Sequence, residues 1–141
     1  MDQFYLYLTH EDSVKGYPAN TASDFIIELA SIVRLPPGQW ECALKELRVT
    51  GNKDRETFYV TSSLCNPDFN ANLPILRKVF SKSQVFQKTY TDAYYKRVNV
   101  CNIHTFGIRL LSTVKKEPIV AKSTELTLHF KKCLTPGSTT F

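Results

Sequence analysis

The stretch Trp40-Glu-Cys-Ala-Leu-Lys-Glu-Leu-Arg-Val49, "WECALKELRV", decides the fold class. Trp40, Ala43, Leu44 and Leu47 have helical spacing, and Glu41 and Lys45 stand at i, i+4, where opposite charges pair on a helix. Read as a strand, Trp40, Cys42 and Leu44 share one face until Glu46, while Ala43, Leu47 and Val49 share the other. A bulge near Ala43–Lys45 repairs that mismatch by adding one residue to the strand. In isolation the two readings balance, and the neighbouring segments settle on a strand.

The clearest neighbour is "STELTLHFKK" (123–132), in which Leu126, Leu128 and Phe130 alternate with Glu125, Thr127, His129 and Lys131. Period-two alternation marks a strand with one face buried. "FYLYLT" (4–9) and "DFIIEL" (24–29) alternate in the same way, and "TFYVTSSL" (57–64) turns Phe58 and Val60 inward. "LPILRKVF" (73–80) is an apolar run that Pro74 confines to an edge or a strand start, since proline donates nothing to a ladder. "KRVNVCNIHTFGIRLLST" (96–113) reads as one long strand or two, and "SKSQVFQKTYTDAYY" (81–95) as irregular. "HEDSVKGYPANTAS", "RLPPGQ", "GNKDRE", "CNPDFNAN" and "VKKEPI" punctuate these runs as loops and turns.

The sum is seven or eight short strands with no convincing helix. This is the sequence form of an antiparallel sandwich or barrel, with a jelly roll and an immunoglobulin-like sandwich both fitting. The predicted core is Phe25, Trp40, Leu44, Phe58, Leu126, Leu128 and Phe130. At 141 residues the chain makes one domain, 1–133, followed by a frayed tail, 134–141. The 12% aromatic content favours a pleated surface. No run of eighteen apolar residues predicts a membrane helix, and "MDQFYLYLTH" lacks the basic start of a secretory signal. Cys42, Cys65, Cys101 and Cys133 lie far apart and read as free thiols in a reducing compartment.

Chemistry is sparse. Cys101 and His104 form a Cys-x-x-His pair, but a zinc site needs about four ligands. On a regular strand those two point to opposite faces, which also removes His104 as a base for a Cys101 nucleophile. The five glycines are scattered and form no phosphate loop. The expectation is a protein that is not an enzyme and needs no metal or cofactor. His129 is expected to point outward from its strand, toward solvent or a neighbour, so that His129→Ala leaves stability nearly unchanged.

The net charge of +5 concentrates in the second half and permits contact with a polyanion. Arg77, Lys78, Lys96, Arg97, Lys115 and Lys116 are candidates for a basic face. "FQKTYTDAYYKR" (86–97) mixes aromatic and basic residues, which suits single-stranded nucleic acid. It equally suits an arm that docks Tyr90, Tyr94 and Tyr95 on a neighbouring subunit, and that reading is preferred because tyrosine is enriched at interfaces.

Several stretches occur in an order that resembles one family. They are "YPANTASDFIIEL", "PGQWECALKELRV", "FYVTSSLC", "LPILRKV", "YYKRV" and "IRLLSTVKKEPIVAKSTELTLHFKK". The family is the minor capsid, or penton-type, proteins of Polinton/Maverick elements and adintovirus-like DNA viruses. Its motifs match Asn20, Thr21, Ser23 and Phe25; Trp40, Glu41, Ala43 and Leu44; Leu76 and Arg77; and Leu128, His129 and Phe130, across roughly residues 17–132. Family members often carry an Asp-Thr-Gly turn before the final strand, where this chain has "STVKKEPIVAKS". The resemblance implies a single jelly roll of about eight strands, a sandwich of two antiparallel sheets. It also implies a virion protein, a subunit closing capsid vertices as a pentamer or other closed ring. Its partners would be copies of itself and a double jelly-roll major capsid protein, with packaged DNA touched only through non-specific charge and no membrane involved. Such a protein is made in the host cytoplasm and assembled in the nucleus. The alternative from another class is a β-sandwich module that binds nucleic acid or a peptide.

Overall fold

The strand reading of residues 40–49 holds, and so does its bulge. In the computed structural model, which describes residues 1–67 and 72–133, Trp40–Thr50 is one strand. Its pairing with the last strand slips between Leu44 and Glu46, so Lys45 is the extra residue. Trp40, Cys42 and Leu44 face the core before the bulge, and Leu47 and Val49 after it. One inserted residue thus keeps five apolar side chains on the same face. Trp40 also satisfies its polar end, donating from Nε1 to the Pro36 carbonyl at 3.0 Å.

The described residues form nine strands: β1 (Gln3–Thr9), β2 (Asp24–Arg34), β3 (Trp40–Thr50), β4 (Phe58–Ser62), β5 (Ile75–Val79), β6 (Phe86–Thr89), β7 (Lys96–Arg97), β8 (Asn102–Ser112) and β9 (Ser123–Lys132). They form two antiparallel sheets, one ordered β1-β9-β3-β6 with β7 also on β3, the other ordered β2-β8-β4-β5. The protein is therefore an all-β antiparallel sandwich. The pairs are nested: β1 with β9, β2 with β8, β3 with β6, and β4 with β5. Wrapping that ribbon brings β9 beside β3 and β8 beside β4.

The seven predicted core residues all lie buried between the sheets. Pro74 immediately precedes β5, which is an edge strand, as proline requires. Two elements differ from expectation. β6 falls in the segment read as irregular, because its four residues carry a single apolar side chain, Phe86. β2 runs to Arg34 rather than ending at Leu29, continuing past a register shift between Glu28 and Val33. The segment 96–113 resolves into two strands, β7 and β8. The four cysteines are free. The predicted tail 134–141 lies outside the described residues.

Loops gather at the two ends of the sandwich. At one end Asn52 donates to the Gln84 carbonyl and Lys53 to the Val120 carbonyl, joining the β3–β4, β5–β6 and β8–β9 connections. The β1–β2 connection is tied to the start of β9 at this end, where the His10 amide donates to the Thr124 carbonyl. Gly51 opens the β3–β4 turn with φ of +68°, and a Cβ there would stand 2.6 Å from Lys122. The opposite end holds the β2–β3 and β6–β8 connections, joined by Leu35 N–H to Cys101 O and Val98 N–H to Trp40 O.

Candidate interaction surface

Arg77 does not belong to an open basic face. The β4–β5 register slips between Arg77 and Ile75, which places Arg77 opposite the inward-facing Val60. Its side chain is only 9% exposed and closes the gap between the edges of the two sheets. The guanidinium lies 3.9 Å from the Tyr90 ring centroid and 4.1 Å from that of Tyr94. Nη1 donates to the Asp92 carbonyl at 3.0 Å, and Nη2 to the Asp92 carboxylate at 3.3 Å. Stacking between two rings and fork-like donation are what a planar guanidinium does best. Tyr90 is 3% exposed, and its amide donates to the carbonyl of the bulged Lys45 at 2.7 Å. The prediction of Tyr90 as an interface residue is therefore corrected: its ring packs inside its own subunit, because Arg77 covers it. Burial pushes the Tyr90 phenol up. The Asp92 carboxyl is held low by its own backbone amide and by Arg77.

His129 also departs from expectation. It does point away from the core, yet it is only 6% exposed. Tyr5 stacks on it with centroids 4.5 Å apart, and the edge of Tyr95 covers it from the other side. Nδ1 meets the Tyr95 hydroxyl at 2.8 Å, and Nε2 meets Gln3 Oε1 at 2.8 Å. Gln3 Oε1 can only accept, so Nε2 carries the proton and Nδ1 accepts from Tyr95. Burial, Lys45 and Lys131 together push the imidazole below its usual value. Tyr95 thus contacts its own sheet, and its ring also lies 4.1 Å from Lys131 Nζ. Of the three tyrosines proposed for an interface, Tyr94 is the one left open, at 59% exposure.

The remaining predicted basic residues do not form one face. Lys78 stands on the edge strand β5. Lys96 and Arg97 pair with Cys42 and Glu41 at the start of β3, and Arg97 bonds Gln39. Lys115 and Lys116 occupy the β8–β9 connection, at the other end of the sandwich. The six residues are dispersed because the chain reverses direction between them. Cys101 and His104 are both exposed, and among the described residues no three His, Cys, Asp or Glu side chains gather as a metal site would require. Compared with protein-family models, curated proteins and solved structures, the chain matches none.

The strand orders leave two open flanks. One is made by β5 and β6, which end their sheets, and no strand among the described residues pairs with their outer edges. Phe80, 71% exposed, and Tyr94 project there beside Lys78 and Lys88, whose ammonium groups lie 5.0 Å from Phe80 and 5.2 Å from Tyr90 respectively. The other flank is made by β1, β2 and the loop between them. There Asn20 bonds both backbone groups of Ile26, and Ser13 bonds the amide of Glu28 at 2.8 Å, so side chains plug the edge of β2. Such plugs suppress indiscriminate strand addition. An open groove of about 630 Å³ runs along Tyr17, Pro18, Ala19 and Ile26, with Asp24 on its rim. The Tyr17 hydroxyl donates to the Glu28 carboxylate at 3.1 Å, and that carboxylate pushes the phenol up. Neither flank was legible as a unit in the sequence, since each assembles residues from two distant strands. Lys78 and Phe80, two residues apart and so on one face at the end of β5, were a local hint.

Proposed function

We propose that the protein is a structural capsid subunit, a minor capsid or penton-like protein of viral or virus-derived origin that associates with copies of itself into a closed ring. The observation that carries this reading is the nested strand pairing. β1 with β9, β2 with β8, β3 with β6 and β4 with β5, wrapped into two four-strand orders, is the winding expected of a single jelly roll, an architecture that viral capsid domains use. The ordered stretches that resemble Polinton/Maverick penton-type proteins point the same way. A fold hosts many functions, so the site must carry part of the weight. Here the open flanks supply it, with exposed aromatic and charged side chains on a rigid frame. The double jelly-roll major capsid protein is the proposed second partner, DNA contact is a matter of non-specific charge, and the particle is the proposed location.

The mass of the purified protein by light scattering over a concentration series tests this. A discrete closed oligomer is the expected result. A monomer at every concentration, with tight salt-sensitive binding of single-stranded nucleic acid, would instead favour the binding-module reading.

A further inference from the structure

The two open flanks are complementary to one another. The β5–β6 flank presents an aromatic knob, Phe80, with Lys78 and Lys88 around it and the buried Arg77 cation behind. The β1–β2 flank presents an apolar groove at Tyr17, Pro18 and Ile26, rimmed by Asp24, with the Glu28 carboxylate just beyond it on the Tyr17 hydroxyl. Asp24 is partly engaged by Arg109 at 3.8 Å, with both side chains about half exposed. Lys15 and Arg34 oppose the acids of this flank but do not line the groove. The flanks lie on opposite sides of the sandwich, because β1 and β2 begin the two strand orders while β6 and β5 end them.

Height matters as much as charge. Phe58 pairs with Val79 on one side and Ser112 on the other, and Asp24 pairs with Arg109, three residues along the same β8. The end of β5 and the groove's rim at Asp24 are therefore offset by about 10 Å along the strand direction, and Ile26, paired with Gly107, by about 17 Å. A contact between opposite sides of one subunit is heterologous, and it closes into a ring when successive copies are related by rotation with little translation. A specific contact covers roughly 800 Å² per partner. That is about a tenth of the 8371 Å² surface.

Resting on the capsid-subunit reading, we infer that the Phe80–Lys78–Lys88 flank of one copy docks into the Tyr17–Pro18–Ile26 groove of the next, with the lysines meeting the Asp24 and Glu28 carboxylates. The occupant of each flank is thus a second copy of this chain. Complementary charges steer and register such contacts, and like charges brought together are strongly disfavoured.

Charge reversal on the full chain tests the assignment, with circular dichroism and thermal melting verifying folding and light scattering giving mass. Lys78→Glu with Lys88→Glu, and separately Asp24→Lys with Glu28→Lys, should each weaken self-association by roughly tenfold or more. Mixing the two variants, or placing all four substitutions on one chain, should restore it. Phe80→Ser removes the knob without changing charge and, at a position this exposed, leaves folding intact while weakening association. If the ring persists unchanged in both reversed variants and in Phe80→Ser, the flank pairing is overturned while the capsid-subunit reading stands. If the unaltered chain is monomeric throughout, both fail. If Lys78→Glu with Lys88→Glu abolishes binding of a single-stranded oligothymidylate and leaves the mass unchanged, the flank is a polyanion site and the inference is wrong.

Discussion

His129 stands on the solvent side of β9 and is nonetheless sealed, because Tyr5 and Tyr95 lie over it and Gln3 Oε1 accepts a hydrogen bond from its Nε2–H. Period-two alternation places His129 correctly on the outer face but says nothing about which distant aromatic side chains cover that face. His129→Ala should therefore cost about 1–2 kcal/mol, the loss of two partly buried hydrogen bonds, rather than leave stability unchanged. Urea unfolding measures this, and a loss below about half a kcal/mol would mean that the Tyr95 and Gln3 contacts contribute nothing. A pH dependence follows from the same environment. The folded imidazole is held below its ordinary 6.5, so the unfolded chain takes up the proton first. The stability associated with neutral His129 is complete above about pH 6.5 and declines as the pH falls below it. Comparing the parent with His129→Gln at pH 7.5 and 5.5 should show a smaller acid loss in the variant. Arg77 is a second residue whose role only the assembled fold reveals. Arg77→Lys keeps the charge but loses the planar stack on Tyr90 and Tyr94, so it should destabilise by about 1–2 kcal/mol in thermal or urea melts. Asp92 is largely exposed and adds little to that figure.

Among the elements, the strands with several alternating apolar residues were legible from sequence, and β9 was read with its observed bounds. β6 was not, because Phe86-Gln-Lys-Thr89 becomes a strand only through pairing with Glu46–Val49 of β3. The β3 bulge was legible because the sequence pattern breaks phase at one place. Its structural use was not: the Lys45 carbonyl accepts the Tyr90 amide and so anchors the segment that follows β6. Deleting Lys45 brings Leu44, Glu46 and Leu47 into regular alternation and leaves the core face unchanged. The deletion variant should fold, losing about 1–2 kcal/mol with the Tyr90 anchor. Inserting an alanine between Leu126 and Thr127 of β9 has no such refuge, for it turns Leu128 and Phe130 outward. That protein should show no cooperative unfolding transition by circular dichroism. Equal stability of the two variants would contradict the register described for β3 and β9.

At the scale of the whole molecule, strand order determines which parts of the chain are free to associate. β9, β3, β8 and β4 each have a neighbour on both sides, whereas β1, β2, β5 and β6 end their sheets. Sequence reading distributed six basic residues over one face; the fold scatters them because charge positions depend on which ends and edges the connections reach. Amide exchange should be slowest in β9, β3, β8 and β4, where backbone groups are bonded on both sides, and faster along the outer edges of β5 and β6. Assembly into a ring through the two flanks adds a specific pattern. Exchange should slow in two segments far apart in sequence, Tyr17–Ile26 and Lys78–Lys88, while the β7 region and the β8–β9 connection stay unchanged. Measuring exchange below and above the association midpoint separates this from general stiffening, which would slow all strands together. An assembled state in which Tyr17–Ile26 and Lys78–Lys88 exchange as rapidly as in the monomer would place the subunit contact elsewhere on the sandwich.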